Sequence, residues 1–436
     1  NLGVNAAEES VPGEVLVRFR PGADGLAVAR AHGASVERGI AFGIKVLRVP
    51  VGAEARVAAA LSRNPNVEFA EPNFVRTFGF PCETTGCILP NDPYLGYKWD
   101  LHNDGTIKTS AGVVEMSTGR ADADIDWLEA YDQLGGSLTG SAVIGILDTG
   151  VNPNHPDLSG KVLSGYDFVN NDNNPMDDDG HGTHVAGIAA AHGNNGTGVV
   201  GVAWGSNVKI LPVKVCGPGG CPISAIVDGI YYAVNNGAHV SLGGRTGSTA
   251  EQVALQYALA NDVLPICAAG NDGRKQVSYP AAFPECVAVG ATNWSDGRAK
   301  YSNTGDPIEL AAPGGDTEDR KTGRSYILST YHDGGYVFMY GTSMAAPQVA
   351  GLAALLHATG VRGASTIRNR MTSTADDLGT SGRDRDFGYG RINVYRALNN
   401  ITDGGDGGGG DGGGNGGGGN GGGNGGGGKC HPVRGC

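Results

Sequence analysis

The chain has 436 residues, 40% of them hydrophobic and 17% charged, with a formal net charge of −12. That balance excludes a wholly disordered polymer. No apolar run reaches the ~18 residues a bilayer span needs, and the acidic surplus argues against a nucleic-acid surface, because phosphates repel it. Seventy-six residues are Gly, and 20 of the 25 from Gly404 to Gly428 are Gly, a composition that cannot bury a core and reads as a solvated linker.

Taken in chain order, residues 1–11 are polar and carry no pattern. Residues 12–80 alternate strand and helix signals. Glu14–Arg20 and Ile44–Val49 predict strands, Gly25–His32 and Ala53–Arg63 predict helices, and a last strand starts at Val67. The order suits a small α+β, ferredoxin-like split-βαβ domain. Residues 11–78 carry nine Lys/Arg against six Asp/Glu, whereas residues 91–403 carry 21 against 33, so a slightly basic unit precedes a strongly acidic one. A linker with Pro and two Cys follows the first unit.

Residues 81–403 read as one large domain. Apolar strand runs at Ala142–Leu147, Val208–Val215, Asp262–Ala268 and Cys286–Gly290 are separated by helical runs at Gly182–Ala191, Ile223–Asn236, Ala250–Ala260 and Thr342–His357. This predicts an α/β, doubly wound, mostly parallel sheet with helices on both faces, whose site lies at the carboxyl ends of the strands. The Gly-rich linker 404–428 and a Cys-bounded tail 429–436 complete the chain.

The eight Cys fall in close pairs without CxxC spacing, so disulfides in an oxidising compartment are favoured over zinc. The expected pairs are Cys82–Cys87, Cys216–Cys221, Cys267–Cys286 and Cys430–Cys436. The chain opens at Asn1 without a charged-then-apolar leader, and the expectation is a secreted, extracellular protein whose signal has been removed.

Four segments carry chemistry. The strand Ile146–Gly150 (ILDTG) ends in Asp148, which could be a helix-capping acid. In Asp179–Gly187 (DGHGTHVAG), His181 opens an Ala-rich helix between two Gly; with His184 it could also hold a metal, although the spacing of a zinc-protease helix is absent. In Tyr340–Gly351 (YGTSMAAPQVAG), Ser343 opens another helix, where it could be an N-cap. Ala268–Asn271 (AAGN) closes a strand and could be a plain turn. Together they supply what a serine nucleophile requires: a base, an acid to orient it, and an amide donor for the oxyanion. Asp148, His181, Ser343 and Asn271 fit those roles.

These motifs resemble the subtilases, the subtilisin-like serine peptidases, over roughly residues 91–400, with the Asp, His, Ser order of that family. The resemblance implies a serine endopeptidase that acts through an acyl-enzyme, with a broad preference for apolar and aromatic side chains. It implies that Ser241, Leu242, Gly243 and Gly244 form the edge that pairs with extended substrate. Ala268, Ala269 and Gly270 would line the pocket for the side chain before the scissile bond, and Tyr279–Pro280 matches a cis-proline site. Residues 12–80 resemble the family's propeptide, with the likeness in Asn64–Phe74. The chain would then be a zymogen, inhibited by its own propeptide and cleaved by itself near Phe78–Phe80.

The stretch Asp167–Met176 resembles the calcium loop of thermitase-like members. This implies structural Ca²⁺ on Asp167, Asn170 and Asp172 by side chain and on Asn174 and Met176 by carbonyl; Asp157 and the loop Gly193–Gly198 resemble the family's stronger site. The implied partners are protein and peptide substrates and the chain's own propeptide. No nucleic acid, no membrane span and a monomeric state are expected.

Departures are visible. Gly237–Val240 runs into Ser241 with about three fewer apolar residues than in relatives, which predicts a thinned central strand. Asn103–Asp124 reads as an insertion, Gln348 stands where His is usual, and Tyr340 where a small polar residue is commoner. The shortened strand favours a rival reading, a catalytically impaired subtilase-fold binding or adhesion module.

Overall fold

The computed structural model describes residues 10–39, 43–74, 88–109, 112–115, 120–242, 247–317 and 325–402. The expected pairs Cys82–Cys87 and Cys430–Cys436, Gly243 and Gly244, the cleavage region at Phe78–Phe80 and the Gly-rich linker lie outside these residues.

The N-terminal unit runs β1 (Ser10–Phe19), α1 (Gly25–Ala31), β2 (Ser35–Gly39), β3 (Lys45–Arg48), α2 (Glu54–Ser62) and β4 (Val67–Phe74). Its four strands lie in the order β2-β3-β1-β4, and every pairing is antiparallel. Alternate residues Val15 and Val17 of β1 point into a core with Leu47, Val57, Leu61 and Val67. The expected βαβ plus αβ order gains one strand: β2 is an edge strand whose residues are mostly exposed, so it has no apolar alternation to announce it. Pro72 is tolerated because β4 forms the other edge.

The second unit starts with a hairpin, β5 (Thr106–Thr109) and β6 (Gly112–Glu115), inside the predicted insertion, and α3 (Trp127–Gln133). Next come β7 (Ala142–Asp148), β8 (Tyr166–Asp167), α4 (His181–Ala190), β9 (Val208–Lys214), α5 (Ile223–Asn235), β10 (His239–Leu242) and α6 (Thr249–Ala260). After these lie β11 (Pro265–Ala268), β12 (Val287–Thr292), β13 (Ile308–Pro313), the hairpin β14 (Ile327–Thr330) and β15 (Tyr336–Met339), then α7 (Thr342–Ala358), α8 (Ala364–Ser373) and α9 (Val394–Asn399).

Seven strands form one sheet in the order β13-β12-β11-β10-β7-β9-β8, and all its pairings are parallel. The side chains of β7 divide by parity. Ile144 and Ile146 enter a core shared with α4 and α7, while Leu147 joins a second core under α5 and α6. Helix α7 is buried from Met344 to Leu356 and apolar there except at Gln348, as suits a helix enclosed on all sides.

The order reverses beside β7: β8 and β9 lie on one side of it and β10 to β13 on the other. A crevice forms at the carboxyl ends of strands at such a reversal. The central strand β10 is short but paired on both sides, His239–Ser241 with Ile144–Ile146 and Val240–Leu242 with Pro265–Cys267. The sheet is therefore continuous through the place where thinning was expected.

Candidate active site

Asp148 ends β7 at that reversal. Its carbonyl accepts from the N–H groups of Val215 and Cys216 at 2.9 and 3.1 Å, which tethers it to the end of β9. Helix α4 begins opposite, at His181. Gly180 has φ +109°, and a Cβ there would lie 2.1 Å from the Tyr331 ring; a Cβ on Gly182 would lie 2.1 Å from the Gly150 carbonyl. The two glycines thus let the first turn of α4 press against the end of β7.

The His181 Nδ1 meets both carboxylate oxygens of Asp148, at 2.8 and 2.9 Å. The charge of Asp148 raises the imidazole above its ordinary value, and this outweighs the opposing effect of burial. His184, one turn on, faces the protein interior instead: it is fully buried, and its Nε2 meets the Val337 carbonyl at 3.0 Å. Burial pushes its pKa down to about 3; its Nε2 is taken by Val337 and the His181 Nδ1 by Asp148, so the two rings serve different partners.

Asp177, which the sequence reading missed, organises this turn. Its carboxylate accepts from the Thr149 hydroxyl (2.8 Å), Asp179 N–H (3.1 Å), Gly180 N–H (2.9 Å), Thr183 N–H (2.8 Å) and the Thr183 hydroxyl (2.6 Å). The Thr149 hydroxyl in turn accepts from Gly182 N–H at 2.9 Å. Burial pushes the Asp177 carboxyl up, but the bonds from Thr183, Gly180 and Thr149 win and hold it below the usual range.

Ser343 lies in the first turn of α7, after Gly341 at φ +148°. Asn271 follows β11 and is exposed. Its Oδ1 accepts from the N–H and the hydroxyl of Thr342 at 2.8 and 2.9 Å, so the amide NH₂ is the end left to face the cleft. A cleft of about 380 Å³ is lined by Asp148, His181, Asn271 and Ser343, together with Ala268, Gly270 and the Cys216–Cys221 loop. Of the three expected pocket residues, Ala268 and Gly270 line it; Ala269, between them, is buried on the opposite face. Ser241 and Leu242 close β10 next to β11. Tyr279–Pro280 is cis. Gln348 is buried and donates to the Pro313 carbonyl at 2.6 Å, tying α7 to β13. Disulfides join Cys216 to Cys221 and Cys267 to Cys286.

Two oxygen-rich places bear on calcium. Asp157 is fully buried and accepts from Asn195 Nδ2, Val199 N–H and the Tyr336 hydroxyl at 2.8–2.9 Å. Asp92, unforeseen, is buried nearby and accepts from the N–H groups of Asn194 and Asn195 at 2.7 and 3.3 Å. Burial pushes both carboxyls up, and the charge of Asp157 adds to the rise at Asp92. Among the described residues neither pairs with Lys or Arg, so a hard divalent cation suits this donor set. In the other loop the Asp167 carboxylate accepts from Val169 N–H, Asn170 N–H and Asn170 Nδ2, at 2.7–2.9 Å. Asp172 is exposed and caps Asn174 N–H at 2.8 Å, while Asn174 and Met176 line a separate hollow. The Asp167 carboxylate, like that of Asp157, is thus met by three donors of the protein itself.

Comparison with known proteins gives the family. The family model described as the subtilase family matches residues 140–390. The chain belongs to the subtilase family. A second model, the fervidolysin N-terminal prodomain, matches residues 3–73. The chain is 38% identical over 407 residues to a thermophilic serine proteinase of Bacillus sp. (strain AK1), covering 91% of this chain and 90% of the relative. It is 43% identical over 274 residues to thermitase of Thermoactinomyces vulgaris, covering 62% and 92%. Among solved structures, a protease from Pseudoalteromonas arctica PAMC 21717 superposes with a TM-score of 0.61 at 30% identity, over 72% of this chain and all of that one. This subtilase is a serine endopeptidase with an N-terminal prodomain, and no described helix is long and apolar enough to cross a membrane.

Proposed function

We propose that the chain is a secreted zymogen whose peptidase unit, residues 81–403, hydrolyses peptide bonds through Asp148, His181 and Ser343. The observation that carries this reading is the Asp148–His181 hydrogen bond at the edge of a cleft also lined by Ser343 and Asn271. His181 takes the Ser343 proton as Oγ attacks the scissile carbonyl, and Asp148 holds the ring through Nδ1–H. The Asn271 NH₂ and the positive end of α7 stabilise the oxyanion. As the C–N bond breaks, His181 gives the proton to the leaving amine; water then cleaves the Oγ–acyl bond by the same proton path.

Substrate extends along the end of β10, from Ser241 and Leu242 toward Gly243 and Gly244, with the side chain before the scissile bond against Ala268 and Gly270. The small residues there suit apolar and aromatic side chains. Residues 12–80 serve as the inhibitory propeptide. A structural Ca²⁺ held by Asp157 and Asp92 would neutralise two buried charges, and a second one at Asp167–Met176 would brace an exposed loop. The two disulfides suit an oxidising, extracellular compartment.

The test uses the full chain. It should label with a serine-directed fluorophosphonate and mature by self-cleavage, whereas Ser343→Ala should do neither and accumulate uncleaved. An unlabelled, folded wild-type protein would overturn the reading and favour the impaired binding module.

A further inference from the structure

The cleft described above adjoins a second hollow at Ser343. That hollow, about 330 Å³, shares His181, Asn271 and Ser343 with the first but is otherwise lined by Tyr326, Phe338, Met339, Tyr340 and Met344. Tyr340 also borders a third hollow with Asp272, Lys300, Tyr301 and Thr317. Tyr340 and Phe338 are 39% and 41% exposed, so both offer apolar surface to a ligand in this hollow. The Tyr340 ring is held between two others, its centroid 4.7 Å from Tyr326 and 5.3 Å from Tyr301. Tyr301 is itself fixed, its hydroxyl donating to the carbonyls of Gly314 and Gly315 at 2.7 and 2.8 Å. Behind Tyr340 a Cβ on Gly315 would lie 3.2 Å from the Tyr340 Cβ, so the backbones are in close contact. The aromatic wall is therefore pre-organised, and a ligand that covers it loses little side-chain freedom.

The two hollows share His181, Asn271 and Ser343, so a peptide with its scissile carbonyl at Ser343 borders both. On the reading above, Ala268 and Gly270 face the side chain before the scissile bond, so the aromatic hollow faces the side chain after it. We propose that Tyr340, with Phe338 and Tyr326, determines specificity on the leaving-group side and selects aromatic and large apolar side chains immediately after the scissile bond. The inference rests on the proposed function and adds a preference that the pocket of small residues cannot supply.

The leaving-group side can be read alone by acyl transfer. The enzyme is acylated with an N-protected peptide ester, and phenylalanine amide or glycine amide then competes with water for the acyl group. The amine nitrogen bonds to the carbonyl, the bond to Ser343 Oγ breaks, and His181 returns the proton to Oγ. The wild-type enzyme should favour phenylalanine amide over glycine amide by about tenfold or more, the range one apolar contact supplies. Tyr340→Ser should bring the ratio to within about twofold of unity, and Tyr340→Phe, which keeps the ring, should preserve it. Phe338→Ala, on the exposed part of the same wall, should lower it without depending on how the Tyr340 variant folds. A wild-type ratio near one, or an undiminished ratio in folded Tyr340→Ser or Phe338→Ala, overturns the proposal. Failure of the wild type to form any acyl-enzyme would instead overturn the proposed function, and it is seen separately as absence of ester turnover.

Discussion

Asp177→Ala should be strongly damaging although the residue stands outside the proposed triad and never touches substrate. The carboxylate takes three backbone N–H groups and two hydroxyls at 2.6–3.1 Å, inside a turn where it is only 5% exposed. The Thr149 and Thr183 hydroxyls can turn to other acceptors, but the N–H groups of Gly180 and Thr183 are fixed at the start of α4. Losing a helix cap costs about 1 kcal/mol, and each buried donor left without an acceptor costs about 1–3 kcal/mol. A loss of about 3–5 kcal/mol follows, which for a domain of this size lowers Tm by roughly 6–15 °C.

The catalytic effect should be separate. His181 opens the same turn, and a shift of about 1 Å in a catalytic group costs about 10²-fold, so kcat should fall while KM changes little. Thermal unfolding should be compared in a Ser343→Ala background, which removes autolysis, and kcat in the otherwise intact enzyme. Because the Asp177 carboxyl is held below its unfolded value, its contribution is present above about pH 4 and is lost as pH falls through the native value. The variant should therefore lose less stability than the parent across that acid range. A Tm within about 2 °C of the parent, with kcat unchanged, would show that Asp177 does not organise the turn.

Two further outcomes follow from the charges of the site. His181 must be neutral to accept a proton, and Asp148 raises it, so kcat/KM should climb with pH along a limb above the ordinary imidazole value of about 6.5. Asp148→Asn should move that limb to lower pH and cut kcat by about 10⁴-fold; an unmoved limb would refute the assignment. The same pairing adds stability below about pH 6.5 that is lost as pH rises through the raised value. Calcium at one hundred times its Kd should add about 2.7 kcal/mol, so a chelator should lower Tm, and Asp157→Asn should shrink that difference. Melting indifferent to chelator would exclude the site.

Most of the fold could be read because parallel strands such as β7, β9 and β12 are largely buried on both faces and so stand out as apolar runs: Ala142–Asp148, Val208–Lys214 and Val287–Thr292 all match their predicted strands closely. The elements that escaped are those whose stability comes from elsewhere. Strand β2 has one half-buried and four exposed residues and relies on pairing with β3. The β5–β6 hairpin lies in a stretch that could only be read as an insertion. At β10 the reading went the other way. Missing apolar residues suggested a weak strand, yet ladders to β7 and β11 on both sides hold four residues in register.

The site divides along the same line. Asp148, His181, Ser343 and Asn271 were legible because nucleophilic chemistry demands those side-chain types at the ends of strands and the starts of helices. Their supports were not, as the run Asp177–Asp178–Asp179 shows. The three residues are chemically identical, adjacent, and four to two positions before His181. One is buried and gathers five donors. The next is exposed and pairs at 2.6 Å with Lys214, whose Nζ also holds the Thr149 carbonyl at 2.5 Å. The third is exposed, and its carboxylate accepts the His181 N–H at 3.3 Å. Which aspartate turns inward depends on where α4 meets β7, a contact between segments some 30 residues apart. No local pattern encodes that choice. A carboxylate that acts on substrate can be recognised from its own motif, but one that acts by holding another residue is identified only once the fold has placed its donors.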